Sequence, residues 1–127
     1  MAKTEAISTS AAPQAIGPYS QAIKLDNLVF LSGQIPLDPQ TMEIVTGGVD
    51  AQAHQVFNNL AAVIKASGAG FENVVKLTIY LVDLSEFPRV NEIMAGYFSE
   101  PYPARATIEV SALPKGALIE IDAIVAL

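Results

Sequence analysis

Only two segments of the chain have the apolar spacing of a helix, and this limits the folds that it can adopt. In residues 51–67, apolar side chains recur every three or four positions and form one stripe, with Asp50 as the predicted N-cap and Gly68 as the stop. Residues 86–98 form the second predicted helix, with Ser85 as its cap. Two helices cover only one face of a sheet, so the other face must meet something else.

Short β-like runs account for most of the remaining chain. They occupy residues 19–25, 28–34, 42–46, 73–82, 104–110 and 117–126. We expect residues 1–12, which are small and polar, to be a loose terminus of a single domain that spans residues 1–127. The predicted order is therefore β-β-β-α-β-α-β-β, an α+β fold in which a mixed sheet carries two helices on one face.

The uncovered face of this sheet predicts an assembly. Residues 28–31 are apolar on both faces of their strand, and apolar residues make up 51% of the whole chain. One sheet with two helices cannot bury all of this surface by itself. A second copy of the same chain is the simplest cover.

Charge and composition exclude several classes of function. Thirteen acidic residues outnumber seven basic ones, and the basic residues form no run, so nucleic-acid binding is disfavoured. The chain lacks cysteine, which excludes disulfides and thiolate nucleophiles. The single histidine, His54, has no cluster of further ligands, so we expect no metal site. No segment resembles a signal peptide or a membrane span, and we expect a cytoplasmic protein that contacts no membrane.

The last two strands carry the residues best suited to bind a substrate or to catalyse a reaction. Period-two alternation places Arg105, Thr107 and Glu109 opposite the apolar row of one strand, and Glu120 and Asp122 opposite the apolar row of the other. If both apolar rows face the helices, Arg105 and Glu120 share the uncovered face. Arginine binds carboxylates with its planar fork, and glutamate can activate a water. From the residues alone, a structural salt bridge between the two explains the pattern equally well.

Several motifs, in order along the chain, resemble those of the RidA/YjgF family of imine deaminases. The resemblance runs from about residue 7 to the C-terminus. The motifs that carry it are residues 12–13 (Ala-Pro), 16–22 (Ile-Gly-Pro-Tyr-Ser-Gln-Ala), 31–36 (Leu-Ser-Gly-Gln-Ile-Pro), 74–76 (Val-Val-Lys) with Thr78, 83–84 (Asp-Leu) with Phe87, Val90 and Asn91, 103–105 (Pro-Ala-Arg) followed by 109–110 (Glu-Val), 113–116 (Leu-Pro-Lys-Gly) and 119–121 (Ile-Glu-Ile).

The resemblance implies a fold, an assembly and a reaction. The implied fold is that of the trimeric type of chorismate mutase, in which three subunits meet through their sheets and leave a cleft between each pair of neighbours. The implied reaction hydrolyses 2-imino acids, such as 2-iminopropanoate and 2-iminobutanoate, to 2-keto acids and ammonia without a metal or an organic cofactor. In the family, the arginine matching Arg105 binds the substrate carboxylate, and the glutamate matching Glu120 holds the attacking water. The remaining implied substrate-binding positions are Tyr19, Ser32, Gly33, Phe87, Asn91 and Thr107.

The sequence differs from the family pattern at one of the implied substrate-binding positions. Thr107 stands where many family members have cysteine, so catalysis here cannot depend on a thiol.

A non-enzymatic protein could bind a small carboxylate through Arg105 and the loop at Ser32 and Gly33. A chaperone-like or ribonuclease activity is the other alternative, but the acidic charge and the lone His54 make RNA cleavage unattractive.

Overall fold

The computed structural model describes residues 3–127, and residues 1 and 2 lie outside the described part. The order of elements within it is the predicted one. They are β1 (Thr4–Ile7), β2 (Ala22–Leu25), β3 (Leu28–Gln34), α1 (Gly48–Ala66), β4 (Val74–Leu81), α2 (Phe87–Ala95), β5 (Ala104–Glu109) and β6 (Ile119–Ala126). Short 3₁₀ turns precede β4, α2 and β6.

The strands form one mixed sheet in the order β1-β2-β3-β6-β4-β5. Neighbouring strands pair antiparallel, except β4 and β5, which pair parallel because α2 makes the crossover between them. This confirms the predicted α+β fold with a mixed sheet. The crossover also leaves β5 at one edge of the sheet, beside α2.

The hydrophobic core lies between the helices and one face of the sheet. Alternate residues of β4 and β6 point into it, because successive side chains of a strand face opposite ways. Fully buried side chains come from α1 (Val56, Phe57, Leu60, Val63), from β4 (Leu77, Ile79, Leu81) and from β6 (Ile119, Ile121, Val125). Each contributes roughly 1.5–3 kcal/mol by leaving water, so tertiary packing holds the helices in place.

Two predictions about the strands before α1 were wrong, although the order of elements agrees. Within the supposedly loose terminus, residues 4–7 form β1, which pairs antiparallel with β2. Strand β1 is mostly exposed, so backbone pairing holds it and no apolar pattern marks it in the sequence. Residues 42–46 form no strand, because a turn closed by Asp38 leaves them with a single bridge between Leu37 and Ile44.

The helix starts also differ from those predicted. Helix α1 begins at Gly48, with Gly47 as its N-cap at φ 115°, where glycine is favoured. Asp50 instead lies in the first turn and pairs with Arg89 of α2, with 2.8 Å between Oδ2 and Nη2. Ser85 does not cap α2: Asp83 caps the 3₁₀ turn that precedes this helix, and its carboxylate accepts a hydrogen bond from the backbone N–H of Ser85.

The face of the sheet away from the helices keeps apolar residues in contact with solvent. Phe30 of β3 and Ile108 of β5 are 40% and 46% exposed. Glu120 and Asp122 lie on the same face, on β6 between them. Within residues 3–127, no helix has both the length and the apolar character that crossing a membrane requires.

Candidate active site

The structure places Arg105 on the helix side of the sheet, and this corrects the prediction that Arg105 and Glu120 share a face. Arg105 pairs across the ladder with Leu77, a core residue that faces the helices. The apolar row of β5 therefore points the other way, and it includes the exposed Ile108. Alternate residues of β5 do share a face, as predicted, but on this edge strand the apolar row faces away from the helices.

Helix α2 holds the Arg105 side chain in a defined orientation. Its guanidinium donates from Nη1 to Asn91 Oδ1 at 2.5 Å and lies 4.9 Å from the ring centre of Phe87. Phe87 and Asn91 are four residues apart and therefore share one face of α2. The guanidinium borders a cavity of about 390 Å³, lined by Asn91, Met94, Ala95, Tyr102, Pro103 and Arg105.

The remaining donors of Arg105 are available to a ligand. Within residues 3–127, the hydrogen-bond partners of its guanidinium are Asn91 and the sulfur of Met94. In the same part of the chain, the ion pairs are those that Arg89 makes with Asp50 and Glu92. A structural salt bridge between Arg105 and Glu120 is therefore not formed within the protomer.

Thr107 lies two residues beyond Arg105 on the same face of β5, opposite Ile79. Its Oγ1 is buried and has no hydrogen-bond partner within the described residues. An unsatisfied buried hydroxyl costs about 1–3 kcal/mol, so Oγ1 is a candidate donor to a bound molecule.

Glu120 rests directly on the backbone of Gly33. The register between β3 and β6 shifts between Leu31 and Gln34, which places Gly33 in a β-bulge beneath the Glu120 side chain. A Cβ at residue 33 would overlap Glu120 Oε2 and lie 2.9 Å from its Cδ. Because the overlapping atoms are the end of a flexible side chain, a larger residue at position 33 would displace the carboxylate, whereas glycine lets it lie against the α-carbon.

Glu120 lines a second cavity, of about 460 Å³. Its walls come from residues 13–21, 33–42 and 114–115, and they are mostly apolar. Tyr19 lines this cavity, and its Oη accepts a long hydrogen bond of 3.4 Å from the backbone N–H of Ile16. Lys115, which has a positive φ of 57°, brings a cation to the same wall.

The environment of Glu120 makes it a stronger base than an ordinary glutamate. Burial raises the pKa of Glu120, and the negative charge of Asp122 raises it further. Asp122 is itself held by Tyr80, whose hydroxyl donates to Oδ2 at 3.0 Å. The pKa of the Tyr80 hydroxyl is also raised, first by burial and then by its hydrogen bond to Asp122. A base with a raised pKa accepts a proton more readily near neutral pH.

The structure thus divides the predicted site residues into two groups on opposite faces of the sheet. Phe87, Asn91, Arg105 and Thr107 form the guanidinium half-site, and Tyr19, Gly33 and Glu120 form the carboxylate half-site. Ser32 differs from both groups, because its hydroxyl donates to the carbonyl oxygen of Ser20 at 2.5 Å. Ser32 therefore anchors the loop that carries Tyr19.

Sequence reasoning missed several residues that border these half-sites. Met94 and Tyr102 line the cavity at Arg105, and Lys115 and Gln21 line the cavity at Glu120. Lys115 lies inside one of the family motifs, so its position in the sequence could have indicated it. Asp122, which the alternation marks only as polar, raises the pKa of Glu120 through its negative charge.

Among residues 3–127, no three His, Cys, Asp or Glu side chains gather into a set that could hold a metal ion.

Comparison with known proteins establishes the family. The model of the Endoribonuclease L-PSP family, which covers the RidA/YjgF proteins, matches residues 9–127. The chain belongs to this family. The resemblance inferred from the motifs is thereby confirmed over nearly the whole length.

Relatives within the RidA/YjgF family are similar over most of their own length. The chain is 58% identical over 122 residues to Protein DfrA of Myxococcus xanthus, covering 94% of this chain and 93% of that protein. It is 50% identical over 118 residues to the 2-iminobutanoate/2-iminopropanoate deaminase of Homo sapiens, covering 93% of this chain and 86% of that protein. The crystal structure of RidA from the Antarctic bacterium Psychrobacter sp. matches at a TM-score of 0.94 and 48% identity, covering 97% and 99% of the two chains.

Proposed function

We propose that this protein hydrolyses 2-imino acids, such as 2-iminopropanoate and 2-iminobutanoate, to 2-keto acids and ammonia. The observation that carries the proposal is the guanidinium half-site, where Arg105 is oriented by Asn91 and Phe87 but has no acidic partner among the described residues. Such an arginine is prepared to bind a small carboxylate through two parallel hydrogen bonds. The name of the human relative supports the same substrate class.

The active unit in this proposal is a homotrimer with a cleft between each pair of neighbouring protomers. One protomer supplies the guanidinium half-site to a cleft, and the next protomer supplies the carboxylate half-site. Two observations support this: the half-sites lie on opposite faces of one sheet, and Phe30 and Ile108 leave apolar surface exposed on the uncovered face. A head-to-tail contact of this kind forms a closed ring when the rotation between neighbouring protomers brings the last one back to the first.

In the proposed reaction, Arg105 binds the substrate carboxylate and Thr107 Oγ1 is a further candidate donor to it. The carboxylate of Glu120 accepts a proton from a water, whose oxygen then bonds to C2 of the imine. The protonated Glu120 returns that proton to the nitrogen of the carbinolamine. The C2–N bond then breaks, and the hydroxyl of the carbinolamine passes its proton to the Glu120 carboxylate as the C2 carbonyl forms. Glu120 gives this proton to the departing ammonia, so one protonated imino acid and one water give one keto acid and one ammonium ion. Fixed orientation of the anion and the water lowers the barrier of the addition step.

A coupled assay tests this function directly. A dehydratase acting on serine or threonine generates the unstable enamine and imine, and the release of keto acid is followed with and without the protein. We expect faster release with the wild type and loss of this acceleration in Arg105→Ala. Arg89→Ala is the matched control, because Arg89 pairs with acids on the surface and should leave the rate unchanged. No acceleration by the wild type would refute the deaminase proposal.

The pH profile gives a second prediction, centred on Asp122. A catalytic base must be ionised, so kcat/KM should fall as the pH drops through the raised pKa of Glu120. Asp122→Asn removes the negative charge that raises this pKa, so the acid limb of the profile should move to lower pH. The measurement compares both proteins on the same imine, and Glu109→Gln on β5 serves as the control. An acid limb that stays in place, or moves to higher pH, would contradict a base function for Glu120.

The family description names an endoribonuclease activity, but the charge and the lone histidine of this chain disfavour RNA binding and cleavage. Its net charge of −6 disfavours binding to phosphates, and His54 is hydrogen-bonded to the Tyr97 hydroxyl, at 2.6 Å between Nδ1 and Oη. We propose a small-molecule substrate and no nucleic-acid partner. A cytoplasmic location belongs to the same proposal, and the acidic composition and the lack of cysteine support it.

A further inference from the structure

The side chain of Gln21 is buried and bound entirely to the backbone of a preceding segment. It is 4% exposed. Its Oε1 accepts from the N–H of Thr9 at 2.7 Å, and its Nε2 donates to the carbonyl oxygens of Thr9 at 3.1 Å and Pro13 at 2.7 Å. A longer contact of 3.4 Å joins Nε2 to the carbonyl oxygen of Ala12. Both ends of the amide group therefore bind residues 9–13.

Residues 8–21 connect β1 to β2, and the hydrogen bond from Ser32 N–H of β3 to the carbonyl oxygen of Gln21 joins the end of this connection to the sheet. Strand ladders hold both ends of this connection, but its middle depends on side chains. The Gln21 amide replaces the missing ladder there, because it offers one acceptor and two donors to backbone groups. Buried backbone groups need such partners, and each that loses its partner costs about 1–3 kcal/mol.

The same connection forms one wall of the carboxylate half-site. Pro13, Ile16 and Tyr19 line the cavity that contains Glu120. Ser32 holds the same connection, because its hydroxyl donates to the carbonyl oxygen of Ser20 and its N–H donates to the carbonyl oxygen of Gln21. Glu120 itself lies against Gly33. Within residues 3–127 it makes no hydrogen bond to the Gln21 amide, whose partners are backbone groups of the connection.

We propose that Gln21 is a positioning residue, whose amide holds residues 9–19 in place as the wall that confines the substrate beside Glu120. The proposal rests on the proposed deaminase function. Gln21 acts on substrate binding and leaves the base unchanged, because the amide contacts the wall and the bulge at Gly33 determines the place of Glu120. Misplacement of a substrate by about 1 Å can cost as much as 10²-fold in rate, so loss of the amide should be visible in kinetics.

Replacing Gln21 with methionine tests the proposal, because methionine has a similar length and cannot make these hydrogen bonds. We expect KM for 2-iminobutanoate to rise about tenfold, while kcat falls less and the acid limb of the pH profile stays in place. A merely structural loss would lower the folded fraction, which reduces apparent kcat and leaves KM unchanged. An unchanged KM in folded Gln21→Met would therefore overturn the proposal.

The control variant is Asn73→Ala. The Asn73 amide also ties backbone segments together, by accepting from Gly70 N–H at 3.0 Å and donating to the Ala126 carbonyl at 3.2 Å, at the other end of β6 from Glu120. It should lose stability without a change in KM. If Gln21→Met does not fold, Gln21→Asn replaces it: the same amide on a shorter stem cannot reach Thr9 and Pro13 together, and KM should again rise.

A second readout separates this proposal from the deaminase function. Calorimetric binding of 2-oxobutanoate, the keto-acid product, needs no turnover, and hydrogen exchange reports the opening of residues 9–19. We expect weaker binding and faster exchange of this segment in Gln21→Met. If the wild type binds 2-oxobutanoate but does not accelerate hydrolysis, the deaminase function fails while the positioning proposal is judged by affinity. Equal affinity in wild type and variant, or no binding by either, would overturn the positioning proposal.

Discussion

Replacing Glu120 with glutamine should reduce kcat for imine hydrolysis by about 10²–10⁴-fold, the usual contribution of a general base. Glutamine has the same shape as glutamate, so it can still rest on Gly33 and leave the cavity unchanged. It cannot accept the proton of the attacking water, because its amide is not basic. KM should change little, since Arg105 rather than Glu120 binds the substrate carboxylate in the proposed mechanism. The measurement is steady-state kinetics with imine generated by a dehydratase.

Glu109→Gln is the matched control for this experiment. Glu109 is an exposed carboxylate on β5 that accepts a hydrogen bond from Leu84 N–H, and it lines neither cavity. Its variant should retain wild-type kcat.

Normal turnover and normal ligand affinity in Glu120→Ala would remove the water-activating role. Retained binding of 2-oxobutanoate together with lost turnover would instead favour the enzyme over a non-enzymatic carboxylate-binding protein.

Mixing two inactive variants should restore activity if the clefts form between protomers. Arg105→Ala lacks the guanidinium of each cleft, and Glu120→Ala lacks the base. In a ring assembled at random from equal amounts of both, about a quarter of the clefts receive an intact Arg105 from one protomer and an intact Glu120 from the next. We therefore expect co-expressed variants to recover about a quarter of wild-type activity, although each alone is nearly inactive. Different affinity tags allow the mixed assemblies to be isolated before the assay.

The double variant Arg105→Ala with Glu120→Ala, mixed with Arg105→Ala, provides the control for this complementation. No combination of these chains restores a complete cleft, because neither contains Arg105. Mixed trimers of the two single variants that stay as inactive as the parents would contradict a cleft shared between protomers. Size-exclusion chromatography with light scattering checks in the same samples that the assembly contains three chains.

The core of the fold was predictable because its pattern is regular. The apolar stripe of α1 and the alternation in β6 led to the correct elements and the correct buried faces. Strand β1 escaped prediction because backbone pairing with β2 holds it, and its exposed side chains show no apolar pattern. Residues 42–46 have the composition of a strand, but the turn closed at Asp38 leaves them no partner strand.

The arrangement of the proposed site residues could not be predicted from the sequence. Family motifs named Arg105, Glu120 and their neighbours, and the structure assigns them to two half-sites on opposite faces of the sheet. Alternation shows which residues of a strand share a face, but it does not show which face meets the helices. On the edge strand β5 the exposed apolar row turns away from the helices, so the usual assumption assigns Arg105 to the wrong side. The amide contacts of Gln21 join residues eight to twelve positions apart and leave no periodic signal.

The position of Glu120 depends on main-chain shape, because its carboxylate meets a bare α-carbon at Gly33. The height of the carboxylate above the sheet therefore follows the curvature of β3 at the bulge between Leu31 and Gln34. Substitutions that flatten or deepen this curvature, even when they leave every polar group in place, would shift the carboxylate to which the proposed reaction assigns the proton transfer.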